Sequence, residues 1–467
     1  MAGRLKIAVV GGGISGLASA HFLLQESLDK SLEMDISILE RSDRLGGVIR
    51  SEKIGSCLLE WGPEAFVSYK PAARELVQRL GLVDNLIGSR DEHRRTYVVG
   101  REALEPLPKG MAFLAPVSLK TFWSTASLTR AGKLRASLEP LVGRSQGDPS
   151  IRSFFERRLG REFTDRIAEP LVSAIYGGDI GRLSTRSALP LLFQLEQKCG
   201  SLWKGFRQGR AGPSASSSPL FLTLRGGMQE LVDLLVKSLE EVEIRRNLAD
   251  LRLSSEAGVF RLRAPGFDDC FDLVVLSTPA VSSAEILGDT NLEASQILRK
   301  VPYTSSKIVY LAYKRSEFSH SLDGFGFIVP ASEARFIDAC TWVSSKFDER
   351  CPPDLVLLRC IAHDGRMARA KVTDEQAVSR AHDEVKRLLG ASCAPILERV
   401  FHHTRVMPQL VVGHGHRMEG LKRALKQTPG LFLAGAFVGG VGIPDCIQTA
   451  QRTAEKAAAF AQGLESA

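Results

Sequence analysis

"LKIAVVGGGISGLASAHFLLQ", Leu5 to Gln25, decides how this chain is read. Leu5 to Val10 is an apolar, β-branched run suited to a buried parallel strand. Gly11, Gly13 and Gly16 follow at G-x-G-x-x-G spacing, and Leu17 to Gln25 continues as a helix. The first glycine permits the tight turn and the second lets backbone approach a pyrophosphate. The third lets the helix lie close on the strand, and the helix N-terminus offers N–H donors and a positive dipole to phosphate. A second strand, "MDISILE", ends at Glu40, where a carboxylate can accept hydrogen bonds from ribose hydroxyls. A lone G-x-G-x-x-G is often only a glycine-rich turn, and a lone Glu40 a solvated strand-end charge. Strand, fingerprint, helix, strand and acid in that order predict a dinucleotide site.

The next residues carry the cofactor further. "ERSDRLGGVIRS" (40–51) keeps Glu40, Arg44, Gly46 and Gly47, and resembles the E-x-x-x-R-x-G-G element of flavin amine oxidases and related flavoproteins. "LEWGPEAF" (59–66) resembles the G-P-x-x-F segment that passes their isoalloxazine ring. Plain NAD dehydrogenases do not need this continuation, so an extended FAD is the expected cofactor.

Farther out, the chain of 467 residues has room for two to three domains, with 44% hydrophobic and 24% charged residues. It has no run of about 18 uncharged apolar residues, and "MAGRLKIAVV" lacks the parts of a signal peptide. A cytoplasmic protein is expected, with a peripheral place on the inner face of the cytoplasmic membrane left open. Cys57, Cys199, Cys270, Cys340, Cys351, Cys360, Cys393 and Cys446 form no C-x-x-C pair, which argues against a zinc ribbon or a disulfide framework. The net charge of +8 favours anionic partners. Without a basic-aromatic motif, nucleic acid ranks last among them.

The fold class expected is α/β with α+β. A discontinuous Rossmann-type FAD domain takes 1–88, 222–290 and 426–467, and a mixed-sheet substrate domain takes 89–100, 171–221 and 291–425. A helical subdomain takes 101–170. Within it Met111, Phe113, Leu114, Phe122 and Trp123 interleave with Lys109, Lys120, Arg130, Lys133 and Arg135. That pattern suits either a membrane interface or a subdomain packed on itself. The Gly/Ser/Pro-rich stretch Lys204 to Pro219 reads as a mobile loop.

Four more blocks extend the resemblance nearly end to end. They are "SAIYGGDIGRLSTRSALPLLFQLE" (173–196), "GFGFIVP" (324–330), "MPQLVVGHGHRME" (407–419) and "LAGAFVGGVGIPDCI" (433–447). On these the chain resembles the oxygen-dependent protoporphyrinogen oxidases, FAD enzymes of the flavin amine oxidase-like superfamily. The resemblance implies oxidation of protoporphyrinogen IX to protoporphyrin IX in haem biosynthesis by three two-electron steps, with dioxygen reoxidising the flavin and giving hydrogen peroxide. It implies ferrochelatase as a transfer partner, and leaves a homodimer open. FAD would be held by Gly11, Gly12, Gly13, Ile14, Ser15 and Gly16, by Glu40 and Arg41, and by Gly46, Gly47 and Val48. Gly62, Pro63, Glu64 and Ala65 would pass the ring, Leu248 would lie near the adenine, and Ala436, Val441, Gly442 and Ile443 would lie beside and under the flavin.

For the substrate, the resemblance implies Arg95 as the propionate-pairing cation, with Arg94 and Arg101 close enough to blur the register. Ala174, Ile175, Phe325, Ile328 and Ile361 would line the pocket. No dedicated catalytic acid or base is expected, because the flavin carries the chemistry. His402, His403, His414 and His416 lack a supporting ligand set and read as surface or loop residues rather than metal ligands. Cys446 reads as a small buried packing residue.

The chain departs from the family pattern at Leu410, usually a tyrosine, and at Ala174, commonly a glycine. It departs again at "QTA" (448–450) and at "IAHDG" (361–365), often Met-x-Gly-Gly. Three rival readings remain. A flavin amine oxidase or carotenoid desaturase should lack the "IYGGD" and "GVGIPDCI" blocks. Coproporphyrinogen oxidation would ask for further cations, for which Lys198, Lys204, Arg207 and Arg366 are candidates. The third is a flavin-binding relative without turnover.

Overall fold

The computed structural model describes residues 4–100, 103–108, 111–112, 114–116, 122–125, 127–208, 219–367 and 372–465. Five parallel strands form the first sheet, in the order Glu243–Arg245, Met34–Leu39, Leu5–Val10, Leu273–Leu276, Leu431–Leu433. Leu273–Leu276 is covered on both faces, which is why it reads as an unbroken apolar run without alternation. The helix Ile14–Lys30 covers one side and is itself covered by the last helix, Ile443–Glu465. Ala450, Ala454, Ala457, Ala458 and Ala461 are all 0% exposed along that last helix. At i, i+4, i+7, i+8 and i+11 they make a narrow strip of small side chains, so the two helices can approach closely.

The second sheet has seven strands, in the order Leu397–Pro408, Tyr303–Lys314, Leu355–His363, Ala339–Trp342, Gly326–Ile328, Thr96–Val99, Leu104–Pro106. Its two faces follow from strand alternation. Val309, Leu311, Tyr313, Leu358 and Cys360 point to one face and are covered by Ala377, Ala381, Val385 and Leu389 of the helix Asp374–Leu389. Ile308, Tyr310, Leu357 and Phe401 point to the other, toward Leu59 and Trp61.

Between these layers a helical body buries Phe122, Phe154, Phe155, Phe163, Trp203 and Leu410 in one cluster. Leu114 and Phe122 are buried there. Phe113, Lys109 and Lys120 lie outside the described residues. Trp123, Leu134, Leu138 and Leu141 remain exposed on this body. Its interior holds a charged knot: the fully buried Arg158 pairs with Glu139, and its Nε meets Glu196 at 2.6 Å. Of the loop expected over 204–219, residues 204–207 belong to the helix Leu202–Arg207, and 209–218 lie outside the described residues. Among the described residues no helix is long and apolar enough to cross a membrane.

Candidate functional site: a flavin cradle beside an apolar sheet face

The fingerprint turn is tight enough to exclude any side chain at Gly16, where a Cβ would sit 1.8 Å from the Gly11 carbonyl oxygen. At Gly13 the situation is opposite: a Cβ would meet nothing nearer than Gly47 Cα at 3.9 Å. Gly13 caps the helix Ile14–Lys30, and no side chain accepts from its first turn, leaving those N–H donors for a ligand. Gly46 folds over the turn, its N–H donating to the Gly12 carbonyl at 2.8 Å, and Arg44 pins this flap through the Gly47 and Ile49 carbonyls at 2.6 Å each.

Glu40 accepts from Gly12 N at 2.7 Å and from Ser42 N and Oγ at 2.8 and 2.7 Å, so its carboxylate shapes the turn. Leu248 N donates to the Glu40 carbonyl at 3.0 Å, which places Leu248 beside the same strand end. Arg41 and Val48 are exposed on this rim.

The 60–64 segment is held by side chains from far along the sequence. Glu60 and Tyr310 Oη lie 3.1 Å apart. The Trp61 carbonyl accepts from His403 Nε2 at 2.5 Å, the Gly62 carbonyl from Arg359 Nη2 at 2.8 Å and the Glu64 carbonyl from Thr223 Oγ1 at 2.8 Å. Glu64 Oε1 accepts from Lys346 Nζ at 2.6 Å. Burial alone would raise the Glu64 carboxyl, but Lys346 and Arg359 outweigh it and hold it below the ordinary range. Glu64 Oε2 and Arg359 Nε are buried without a partner. Behind them Glu60 is pushed up to about 7 by burial, partly offset by hydrogen bonds from Met228 N and Ser51 Oγ.

At the far end of the chain the strand stops at Leu433, and Ala436 begins a short helical turn, Ala436–Gly439. Gly435 at φ 140° makes the bend possible. Asp445 accepts from Gly442 N at 3.3 Å and from Lys70 Nζ at 2.7 Å, tying the 441–443 stretch to the loop after the flavin segment. Cys446 is buried, and burial pushes its thiol up to about 11. His403 and His414 correct the surface reading: both are buried, and burial lowers both. His414 Nε2 meets the Phe437 carbonyl at 2.8 Å. His416 is exposed, while His402 meets Asp374.

The apolar face lies beside this cradle. Val98, Ile328, Ala339, Ile361, Ile308 and Phe401 are directly paired in turn across the seven-stranded sheet, so their side chains share one face. At one end Ala174 and Leu171 pack on Val98, Ile328 and Ala339; at the other Trp61 stacks on Phe401 with ring centroids 4.5 Å apart. Ile361 sits between the two packed ends and is only half-buried. The structure thus brings Ala174, Ile328 and Ile361 together, while Ile175 is 55% exposed one residue along the helix. Phe325 lies near Phe221 and Lys346, at the Glu64 end.

Arg95 does not join them. Its Nη1 pairs with Asp323 and lies 3.4 Å from Tyr97 Oη, and Tyr97 packs in the cluster on the opposite face of the sheet. The "HRRTYVVG" motif fixes which strand is reached, but not which side of it a residue faces. Arg94 pairs with Asp91, and Arg101 lies outside the described residues. Lys198, Lys204 and Arg207 are exposed on the helical body, and the Arg366 side chain is outside the described set. Besides the motif residue Arg44, Lys346, Arg359 and Lys70 supply cations to the cradle, and no local motif marks these three.

A fixed-dipole helix end without a cap, an open Gly13 and two orphaned buried polar atoms at the ring segment fit a long dinucleotide such as FAD. Comparison agrees with this reading. The model of the family described as flavin containing amine oxidoreductase matches residues 14–458. A coproporphyrinogen III oxidase of Bacillus subtilis (strain 168) is 31% identical over 457 residues, covering 95% of this chain and 96% of that one. A mitochondrial protoporphyrinogen oxidase of Nicotiana tabacum is 25% identical over 99% of this chain and 96% of that one. A solved structure from Exiguobacterium sp. 255-15, described as "Putative protoporphyrinogen oxidase", superposes with a TM-score of 0.86 at 28% identity, over 98% of this chain and 99% of that one. FAD is the cofactor, and the chain belongs to the flavin containing amine oxidoreductases, among the flavin-dependent porphyrinogen oxidases of that family.

Proposed function

We propose that the chain oxidises a porphyrinogen to the corresponding porphyrin, with dioxygen as the final acceptor, and that coproporphyrinogen III is the substrate. The observation that carries the porphyrinogen reading is the apolar face around Ile361, held between Ala174 at one end and the 60–64 segment at the other. A large macrocycle of four pyrroles with apolar faces suits such a floor. FAD, when bound, supplies the two-electron acceptor. Gly11 to Gly16 and Glu40 would hold its nucleotide half, and residues 62–65, 436 and 441–443 its ring. The chain's own work is then positioning: Ile328, Ile361 and Ala174 orient the macrocycle, while His403, Arg359 and Thr223 keep the ring segment from moving.

Coproporphyrinogen is favoured over protoporphyrinogen because the bacterial relative named for it is more similar to this chain than the tobacco relative named for the other substrate. The tobacco likeness keeps protoporphyrinogen as the second reading. Anaerobic rapid mixing of the FAD-loaded protein with each porphyrinogen separately, following loss of the flavin absorbance, tests both. Faster bleaching by coproporphyrinogen is expected. Faster bleaching by protoporphyrinogen overturns the substrate assignment, and bleaching by neither overturns the porphyrinogen reading.

A further inference from the structure

His363 stands in the "IAHDG" stretch where the chain leaves its family's pattern, and positioning of the macrocycle does not account for it. By alternation with Leu357, Arg359 and Ile361 it points to the same face as Ile361. Ser306 is its direct neighbour on the next strand and His403 the one beyond. Asp338 Oδ2 accepts from His363 N at 2.8 Å and lies 3.2 Å from its Nδ1, so the carboxylate orients the ring and holds a proton on Nδ1. The other edge rests on Gly177, where a Cβ would come within 2.1 Å of Cδ2 and 2.7 Å of Nε2. Nε2 has no hydrogen-bond partner among the described residues. Nor is it one of the fully buried orphan atoms, so it touches accessible space.

We propose that His363, oriented by Asp338, is the proton acceptor for the porphyrinogen, an inference that rests on the reading above. In each two-electron step a C–H bond at a bridging methylene would break, its hydrogen and electron pair leaving as hydride to the two-electron acceptor that bound FAD would supply. The ring system is left one positive charge richer and sheds it by losing a proton, first from a pyrrole N–H. That N–H bond breaks with its electrons retained by the ring, and the proton bonds to His363 Nε2. The resulting imidazolium is stabilised by the Asp338 carboxylate, and water at the open edge takes the proton away. Other nearby bases are committed. His403 Nε2 is engaged by the Trp61 carbonyl, Glu64 by Lys346, and Glu60 by Met228 and Ser51. The ionisable groups on the elements packed around His363 are Asp338, Asp364, Arg359, His403 and Glu169, of which Asp364 accepts from Ser305 N at 2.6 Å.

The experiment compares wild type with His363→Gln, His363→Asn and Asp338→Asn as FAD-loaded proteins. His363→Gln and His363→Asn should slow flavin bleaching by coproporphyrinogen about 100-fold or more and lose the acidic limb of its pH profile. Their FAD content and thermal midpoint should stay close to wild type. Asp338→Asn should keep more activity and move the acidic limb to lower pH, because the imidazolium loses its carboxylate. A second readout does not depend on turnover: adding coproporphyrin to the FAD-loaded protein should shift the imidazole NMR signals that vanish in His363→Gln. Bleaching in His363→Gln within twofold of wild type at every pH, or imidazole signals unmoved by coproporphyrin, overturns the proposal while the porphyrinogen reading stands. A wild type that no porphyrinogen bleaches overturns both.

Discussion

In the glycine fingerprint turn the residues that matter are neighbours in sequence; on the apolar sheet face they are neighbours only through register. Gly11 to Gly16 make their turn from local backbone geometry, and a single stretch of sequence states it. Val98, Ile328, Ala339, Ile361 and Ile308 come from five separate strands, and only pairing places them in a row. The cradle therefore depends on conformations that few residues can adopt. The face depends on side chains that many residues could replace, so substrate preference can drift while cofactor binding is held.

Substitutions at four positions sharpen that contrast. The largest effect is expected at Gly16→Ala, whose new Cβ would lie 1.8 Å from backbone that cannot yield. The protein should be colourless, with a lowered thermal midpoint; full FAD content at an unchanged midpoint would break the account of the turn. Gly13→Ala, with open space at 3.9 Å, should fold like wild type yet bind FAD at least roughly tenfold more weakly in a flavin titration, since only the ligand's room is taken.

Next comes Lys346→Met, which leaves the buried Glu64 carboxylate without its cation. A loss of about 3–5 kcal/mol in denaturant unfolding is expected, with most of it recovered in the double variant with Glu64→Gln. A double variant no better than the single would show that Lys346 acts through its aromatic neighbours Phe221 and Phe347 instead.

A pH-dependent effect is expected at Glu60. Its folded-state value of about 7 lies above the ordinary carboxylate range, so its contribution is fully present below that range and is lost as pH rises through 7. The wild-type thermal midpoint should fall between pH 5 and pH 8 more than that of Glu60→Gln. The difference corresponds to roughly 3 kcal/mol, because each tenfold change in proton affinity is worth about 1.4 kcal/mol. Parallel pH profiles for the two proteins would rule out Glu60 as the group that titrates.

The cradle was legible because glycine spacing and a strand-end acid report backbone geometry directly. The dinucleotide turn could be read that way, while FAD and the joining of the chain's two ends came from the family resemblance. Arg95 could not, because a motif fixes the strand but not the side of the sheet, and Asp323 lies 228 residues away on the opposite face. His403, Arg359, Thr223 and Lys346 were invisible for a related reason. Each acts on one carbonyl or carboxylate of the 60–64 segment from at least 159 residues away, and nothing local marks a side chain for that task. His414 and His403 were misread because isolated histidines say nothing of burial. Only the fold shows that they hold the Phe437 and Trp61 carbonyls.

The salt bridge between Lys70 and Asp445 joins positions 375 residues apart. On a ribosome, the first βαβ unit emerges long before the strand Leu431–Leu433 and the helix Ile443–Glu465 that cover it. Helix Ile14–Lys30 must wait through nearly the whole of translation with its alanine-lined partner still unmade. Until that helix docks, the face it covers is exposed apolar surface of the kind that invites aggregation during synthesis.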